Sequence, residues 1–568
     1  MRQILTFSRL IELTLLLFAP ALMAGSISPY LAAEFDLKLT NTSGIRLSQQ
    51  SYRTEQIQFN QLQFDLTDKH ISTATSIDEN ANSPVTQAQS FKLTNWDKEY
   101  LPLLNNVPLN INGKSLALSI SDDEEHFVLA SDKETVLFTS TGKRVWHHIE
   151  TATTISTLIS VDKKFVISLF SNGVLRWLNY ADGTPLFSLF ISPETRDWII
   201  WTPQGYYDAS SPFFNPLRFD TTSSASHSLS QLRDTLFSPE NIALTLSAEN
   251  RPTSGISNNE LVLPEVSFKV KDEQQVDLCI KTLSSSPHDA MVAVNNVTFS
   301  RSVANPVKAN SRPDCQFEAQ AKLLPQQTIY NISVSAVSKP SSTRSLPVTQ
   351  SVEFRSSLPS SSRTAILIPH YSAKKKLPKL LNSGQRIQSP ISQAIQKLNN
   401  TTYDAFILYL AADCNVVEND IDLFSGDGRN NIRLSQLSYV LQNVNIINSL
   451  IAIDCKIAAD TVNTLATKRL LYNFIADTGR STIAQFITKQ QLALATKKQT
   501  ILESVIIDAL QGEADLDDDL SINSAELLDY INQNLPLKNF ELTGYRGNFY
   551  IYKDLQNNFD LPLKKQAQ

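Results

Sequence analysis

The sequence predicts a multidomain protein, all-β through residue 356 and α/β from residue 363 onward. Three observations carry that reading. Short apolar runs broken by Gly, Asn, Asp and Ser recur through the first part, which is the punctuation of antiparallel sheets. Two of these runs are copies of each other at an offset of roughly 40 residues. Past residue 363, the apolar runs 404–414 (Asp-Ala-Phe-Ile-Leu-Tyr-Leu-Ala-Ala-Asp-Cys) and 450–456 (Leu-Ile-Ala-Ile-Asp-Cys-Lys) alternate with helix-length stretches. That alternation predicts a mostly parallel sheet covered on both faces. A chain of 568 residues, 42% hydrophobic and 19% charged, can build several cores of ordinary globular type. A net charge of -6 gives no basic footprint, which argues against a nucleic-acid partner.

Residues 1–24 read as a secretory signal. Arg2 and Arg9 supply the positive start, 13–24 is apolar, and Ala24 precedes Gly25-Ser26 at a cleavage point. An uncleaved anchor is the alternative, but the run falls short of the roughly 20 residues a spanning helix needs. The expectation is an exported protein, periplasmic or extracellular, with no membrane span after cleavage. Cys279, Cys315, Cys414 and Cys455 then face an oxidising compartment. Three pairings are open. Sequence distance and domain placement favour Cys279–Cys315 and Cys414–Cys455.

Residues 25–250 form the β-rich region. The alternating run 57–64 (Ile-Gln-Phe-Asn-Gln-Leu-Gln-Phe) reads as a strand, and 75–95 as a loop. The repeat follows: Asp123, 127–132, 136–138 and Gly142 recur as Asp162, 165–170, 174–177 and Gly183. The offset is that of a four-stranded WD40-type propeller blade, and a plain antiparallel meander is the alternative. Asn172-Gly173 and Asp182-Gly183 supply the positive φ of tight hairpins. Residues 255–356 alternate strands and polar turns at the spacing of an immunoglobulin-type β-sandwich. The Ser-rich stretch 356–362 is a linker into the last domain, 363–556.

Residues 197–210 (Asp-Trp-Ile-Ile-Trp-Thr-Pro-Gln-Gly-Tyr-Tyr-Asp-Ala-Ser) read as a strand, a Pro-Gln-Gly turn and an aromatic pair. This segment resembles a signature of bacterial proteins that join WD40-type repeats to a caspase-like (peptidase C14) domain. Segments 232–242, 506–512 and 548–551 resemble the same proteins, although their Gly-Trp-His-Val continuation is replaced here by 211–216. The resemblance implies WD40-like blades plus an Ig-like sandwich, followed by a caspase-like α/β domain. The runs 404–414 and 450–456 resemble that domain's third and fourth strands, which end in Ala-Gly-His-Gly and Asp-Thr-Cys.

This chain departs from the family at both ends. Asp413 stands where the resemblance places the general-base His; Lys456 stands where it places the nucleophile, with Cys455 one position early. A carboxylate is a poor substitute for imidazole, and a nearby negative charge raises a thiol pKa. His370, at the end of the family's first strand, is the rescue base for an active cysteine endopeptidase built on Cys455. In the family's order the third and fourth strands are neighbours, so Cys414 and Cys455 come within disulfide reach, and two buried free thiols are the alternative. The expectation is therefore a catalytically inactive scaffold or interaction protein with protein partners, and the active peptidase is the alternative.

The loop 515–526 has EF-hand spacing. Asp515, Asp517, Asp519 and Glu526 occupy positions 1, 3, 5 and 12, with Ser521 at 7 and Asn523 at 9. Position 6 is Leu520 rather than Gly, which costs roughly 1–2 kcal/mol if φ is positive. A weak Ca²⁺ site is one reading; a solvated acidic turn capping the next helix is the other.

Overall fold

The computed structural model describes short strands between residues 30 and 73, and residues 84–246 except 161, 193, 194, 196, 215 and 221–225. It also describes the strands of 263–353 with Arg344 and Ser345, Thr364–Leu367, and most of 405–552. The signal stretch 1–24, the linker 356–362, His370 and Leu520 lie outside the described residues. The chain divides into two compact units. The first holds Met1–Ser210, Phe214–Leu229 and Leu236–Glu260; the second holds Ser211–Phe213, Ser230–Thr235 and Leu261–Gln568.

The first unit is built from antiparallel sheets. Strands β1 (Ile45–Leu47), β2 (Gln56–Phe59), β3 (Leu62–Asp65) and β4 (His70–Thr73) form a meander. The run 57–64 is thus a hairpin and not one strand. Its apolar phase slips from Ile57 and Phe59 to Leu62 and Phe64, and a slip of one residue within a single strand would turn half of them to the wrong face. A small sheet follows: β5 (Leu93–Thr94), β6 (Leu103–Leu104) and β7 (Val107–Pro108), whose last turn holds Asn105 and Asn106 at φ 50° and 67°.

The repeat is structural. Strands β8 (Ser115–Ile120), β9 (His126–Ser131), β10 (Glu134–Thr139) and β11 (Arg144–Ile149) pair in sequence. The next copy is β12 (Thr154–Ile159), β13 (Phe165–Phe170), β14 (Leu175–Asn179) and β15 (Pro185–Ile191). The signature segment 197–210 then supplies β16 (Trp198–Trp201) and β17 (Tyr207–Ala209), which widen this sheet to six strands. Each copy enters its second strand through the same turn: Ser121 Oγ donates to Asp123 Oδ1 at 2.7 Å, and Ser160 Oγ to Asp162 Oδ1 at 2.8 Å. The next residues, Glu124 and Lys163, take φ of 56° and 51°.

Both faces of these sheets are covered, which explains the continuous apolar runs. Val128, Leu137 and Trp146 pack with Ile159, Val166 and Leu178 between the two copies. Phe127, Leu129 and Phe138 face Phe91, Leu104 and Leu109 on the other side. On the far side of the six-stranded sheet, Leu169, Trp177 and Trp198 pack with Phe64 of β3 and Ile242 of helix α1 (Pro239–Leu246).

The second unit opens with two four-stranded antiparallel sheets. One pairs β18 (Glu265–Asp272), β19 (Gln275–Lys281), β23 (Phe317–Lys322) and β22 (Asn305–Pro306) in that spatial order. The other runs β21 (Val297–Val303), β20 (His288–Val294), β24 (Ile329–Ser338) and β25 (Val348–Glu353). Cys279 on β19 is disulfide-bonded to Cys315 at the entry to β23, with Cα atoms 5.4 Å apart.

The last sheet is mixed rather than mostly parallel. Strands β26 (Thr364–Leu367), β27 (Ala405–Val417), β30 (Ser449–Ile457) and β31 (Ser481–Thr488) run parallel, in that order across the sheet. Strands β28 (Asp420–Phe424), β29 (Asn431–Arg433) and β33 (Glu541–Tyr545) are antiparallel additions. The cause lies in β27, which runs on past its last parallel pair at Cys414 and turns back, placing Val417 opposite Asp420. Helices α2 (Leu434–Leu441) and α3 (Thr464–Thr478) contribute Leu437, Leu441, Leu471 and Phe474 to the core on one face. Helices α4 (Ile501–Asp508) and α5 (Ser524–Asn534) cover the other with Leu502, Val505, Leu527 and Ile531.

Candidate functional site

Ligand sites of open α/β sheets lie at the carboxyl ends of the parallel strands. Here those ends belong to β27, β30 and β31. In register, Ala412 stands opposite Cys455, Asp413 opposite Lys456, and Cys414 opposite Ile457. Successive side chains alternate between faces, so the carboxyl ends present two different chemistries.

One face holds sulfur. Cys414 and Cys455 are disulfide-bonded, their Cα atoms 5.5 Å apart. Both are buried, Cys455 completely, among Ala412, Leu437 and Phe474 in the core against α2 and α3. The opposite face is polar. Tyr409 donates its hydroxyl to Asp454 Oδ2 at 2.9 Å in a buried setting. Further along the same strands and on the same face, four residues past Tyr409 and two past Asp454, stand Asp413, exposed, and Lys456, half-buried.

The structure therefore brings Asp413 and Lys456 together and sends Cys455 to the other side of the sheet. Among the described residues every cysteine is bridged. Sequence reasoning named Asp413, Cys414, Cys455 and Lys456 and used Asp454 to align the strand end with the family's Asp, but did not pair Asp454 with Tyr409. The signal was present, since residues 409 and 454 share the odd–even phase of Asp413 and Lys456.

The acidic loop lies on the opposite side of the sheet from the disulfide core, between α4 and α5. Asp515, Asp517 and Asp519 each place a carboxylate oxygen within 4.8 Å of the others. The loop is prefolded by its own backbone: Asp519 N–H donates to Asp515 Oδ1 and Asp517 Oδ1, both at 3.2 Å, and Ser521 N–H to Asp519 Oδ1 at 2.7 Å. Ile522 is buried, and its strand β32 (Ser521–Asn523) pairs with β34 (Tyr550–Tyr552). Asn523 caps α5 by accepting from Ala525 N and Glu526 N. Glu526 in turn accepts from Asn523 N at 3.0 Å and from Leu516 N at 3.1 Å. Three converging carboxylates fit a hard divalent cation, while Glu526 is engaged with the backbone. Ser521 stands where its carbonyl is position 7 of such a loop.

No protein-family model and no curated protein matches the chain. Solved structures with some likeness include BamB from Moraxella catarrhalis, 9% identical over 47% of this chain and 87% of that one, with a TM-score of 0.17. An Hsv2 protein with loop 6CD replaced by a Gly-Ser linker is 8% identical over 54% of this chain and 84% of that one, TM-score 0.16. Hsv2 from Kluyvelomyces marxianus is 8% identical over 28% and 61%, TM-score 0.17. Superpositions at that level leave the fold to rest on the chain's own strand pairing. Among the described residues, no helix is long and apolar enough to cross a membrane.

Proposed function

We propose that this is an exported, catalytically inactive caspase-like protein that acts as an interaction or scaffold unit for protein partners. The observation that carries the reading is the Cys414–Cys455 bridge, buried on the face of the sheet away from Asp413 and Lys456. A cysteine nucleophile needs a thiolate within reach of a base, and a bridged, buried sulfur offers none. Sheet orders β18-β19-β23-β22 and β21-β20-β24-β25 support the immunoglobulin-type module, since they correspond to an ABED sheet facing a C′CFG sheet. Two disulfides support an oxidising compartment, in keeping with the signal read in residues 1–24.

The competing reading is a cysteine endopeptidase that uses Cys455 with His370 as base. Alkylation of the purified protein, with and without reductant and with peptide mapping, separates the two. Recovery of a Cys414–Cys455 peptide and no alkylation without reductant is the expected result. Fast alkylation of Cys455 near pH 7 overturns the proposal.

The loop at 515–526 is proposed to hold Ca²⁺ through Asp515, Asp517, Asp519 and the Ser521 carbonyl, with Asn523 and Glu526 completing the set. Its affinity belongs to the weak extracellular class, about 10⁻⁴ to 10⁻³ M. Addition of a few millimolar Ca²⁺ should raise the thermal midpoint of wild type but not of Asp517→Asn/Asp519→Asn. An equal response in both proteins refutes the assignment.

A further inference from the structure

Within the second unit, four charged side chains close into a ring. Arg233 Nε meets Asp234 Oδ1 at 3.0 Å and Arg233 Nη2 meets Asp477 Oδ1 at 2.9 Å. Arg344 Nη2 completes the circuit, 3.3 Å from Asp234 Oδ2 and 3.3 Å from Asp477 Oδ1. The members come from three distant stretches: the segment Ser230–Thr235, the turn between β24 and β25, and the last turn of α3. Two further hydrogen bonds run beside the ring: Arg344 backbone N–H donates to Gln231 O at 2.9 Å, and the Gln231 side chain donates from Nε2 to Arg344 O at 3.4 Å.

Two features set this ring apart from an ordinary surface pair. Arg233 is 5% exposed, so its contacts are screened far less than exposed ones. Asp477 sits at the carboxyl end of α3, where the helix dipole disfavours a negative charge. Left alone, Asp477 would loosen that end of the helix. Arg233 and Arg344 reverse the sign of its effect.

We propose that the ring is an electrostatic latch, which straps Ser230–Thr235 onto the sandwich and α3 and couples release of the strap to fraying of the α3 carboxyl end. The strap opens when a ring member loses its charge or when salt is high enough to screen the partly exposed Asp234 and Asp477, and the helix end opens with it as long as Asp477 keeps its charge. A lone structural ion pair would not link the two.

Hydrogen exchange and limited trypsin digestion of the full chain test the latch, because Arg233 is itself a trypsin site that the ring hides. In Asp477→Asn, cleavage at Arg233 should quicken roughly fivefold or more, and amides of 230–235 should exchange faster. Asp477→Asn also removes the unfavourable helix-end charge, so the α3 end should exchange no faster than in wild type. In Arg344→Gln, by contrast, the strap and the end of α3 should both exchange faster. Wild type in 1 M salt supplies the same reading without any variant and should resemble Arg344→Gln. Unchanged cleavage and exchange at high salt, or a strap that opens in Arg344→Gln while the end of α3 stays closed, overturns the proposal.

Discussion

Asp413 and Lys456 are register partners on neighbouring parallel strands, and Cys455, one residue before Lys456, points to the opposite face of the sheet. A one-residue step in a strand exchanges faces completely. The cysteine nearest the expected nucleophile position is thus the residue least able to serve there, and it pairs instead with Cys414, two residues beyond Ala412.

That bridge closes a 41-residue separation. On chain-entropy grounds, a loop of that size stabilises the fold by about 4 kcal/mol as an upper figure. Replacing both cysteines, as Cys414→Ala/Cys455→Ala, should lower the urea midpoint of the second unit, and reductant should then act on that transition only through the remaining Cys279–Cys315 bridge. A double variant as stable as the oxidised wild type would show that the bridge adds nothing. Peptidase activity is not expected to change with either cysteine.

The repeats of the first unit depend on one hairpin glycine in particular. Gly183 has φ 72°, and a Cβ there would lie 2.6 Å from the Trp146 ring, which packs between the two sheet copies. Trp146 has little freedom to retreat, since its Nε1 donates to Tyr180 O at 2.7 Å. Gly183→Ala should cost about 2 kcal/mol or more through positive φ and overpacking combined. Gly205→Ala, whose Cβ would meet nothing nearer than Leu236 Cδ2 at 3.6 Å, carries only the φ penalty, about 1–2 kcal/mol. Denaturant unfolding of the two variants checks the order, and a larger loss for Gly205→Ala would refute the packing argument.

Hairpin turns and half-cystines were legible in the sequence because local chemistry specifies them. Gly173 and Gly183 take positive φ as their Asn-Gly and Asp-Gly contexts require, and both disulfides follow from proximity along the chain. The antiparallel extension after Val417 was not legible because Asp413 and Asn415, where the pairing partner changes, read as the end of a buried strand rather than as its continuation into a second pairing. The ring of Arg233, Asp234, Arg344 and Asp477 was illegible for a different reason. Its members come from three places more than 100 residues apart (233–234, 344 and 477), and no periodicity or spacing connects them.

Arg480 is another contact of that long-range kind. Its side chain is 1% exposed and bonds only to neutral acceptors among its described partners. Nη1 donates to Ile446 O at 2.6 Å and Ser449 Oγ at 2.7 Å; Nη2 donates to Leu441 O at 3.1 Å and Val444 O at 2.8 Å. These carbonyls include the end of α2, where a cation is favoured. Burial pushes the guanidinium down to about 9, which leaves it charged at neutral pH. Arg480→Met should cost roughly 3 kcal/mol or more by stranding buried carbonyls. Arg480→Lys should rescue little, because an ammonium cannot span the same fork of acceptors. Near-wild-type stability for either variant would remove Arg480 from the list of structural keystones.

Acid sensitivity of the first unit should trace to His148. Burial above all, then the charges of Arg176 and His147, lowers its pKa from 6.5 to about 4. At neutral pH the ring is therefore uncharged, and its 4.0 Å approach to Glu150 is not an ion pair. With the folded value below the unfolded one, the unfolded chain takes up the proton first as pH falls. The histidine's contribution is complete above about pH 6.5 and is lost on the way down to about pH 4. Glu150 works in the other direction: burial raises its pKa above 4.5, so the folded state protonates first and gains stability as pH falls through that range. Because the two windows overlap, wild type alone gives a blunted profile. The difference between wild type and His148→Gln isolates the histidine, and wild type should lose more of its urea midpoint between about pH 7 and pH 5. Parallel profiles for the two proteins would mean that His148 is titrating as it does in the unfolded chain.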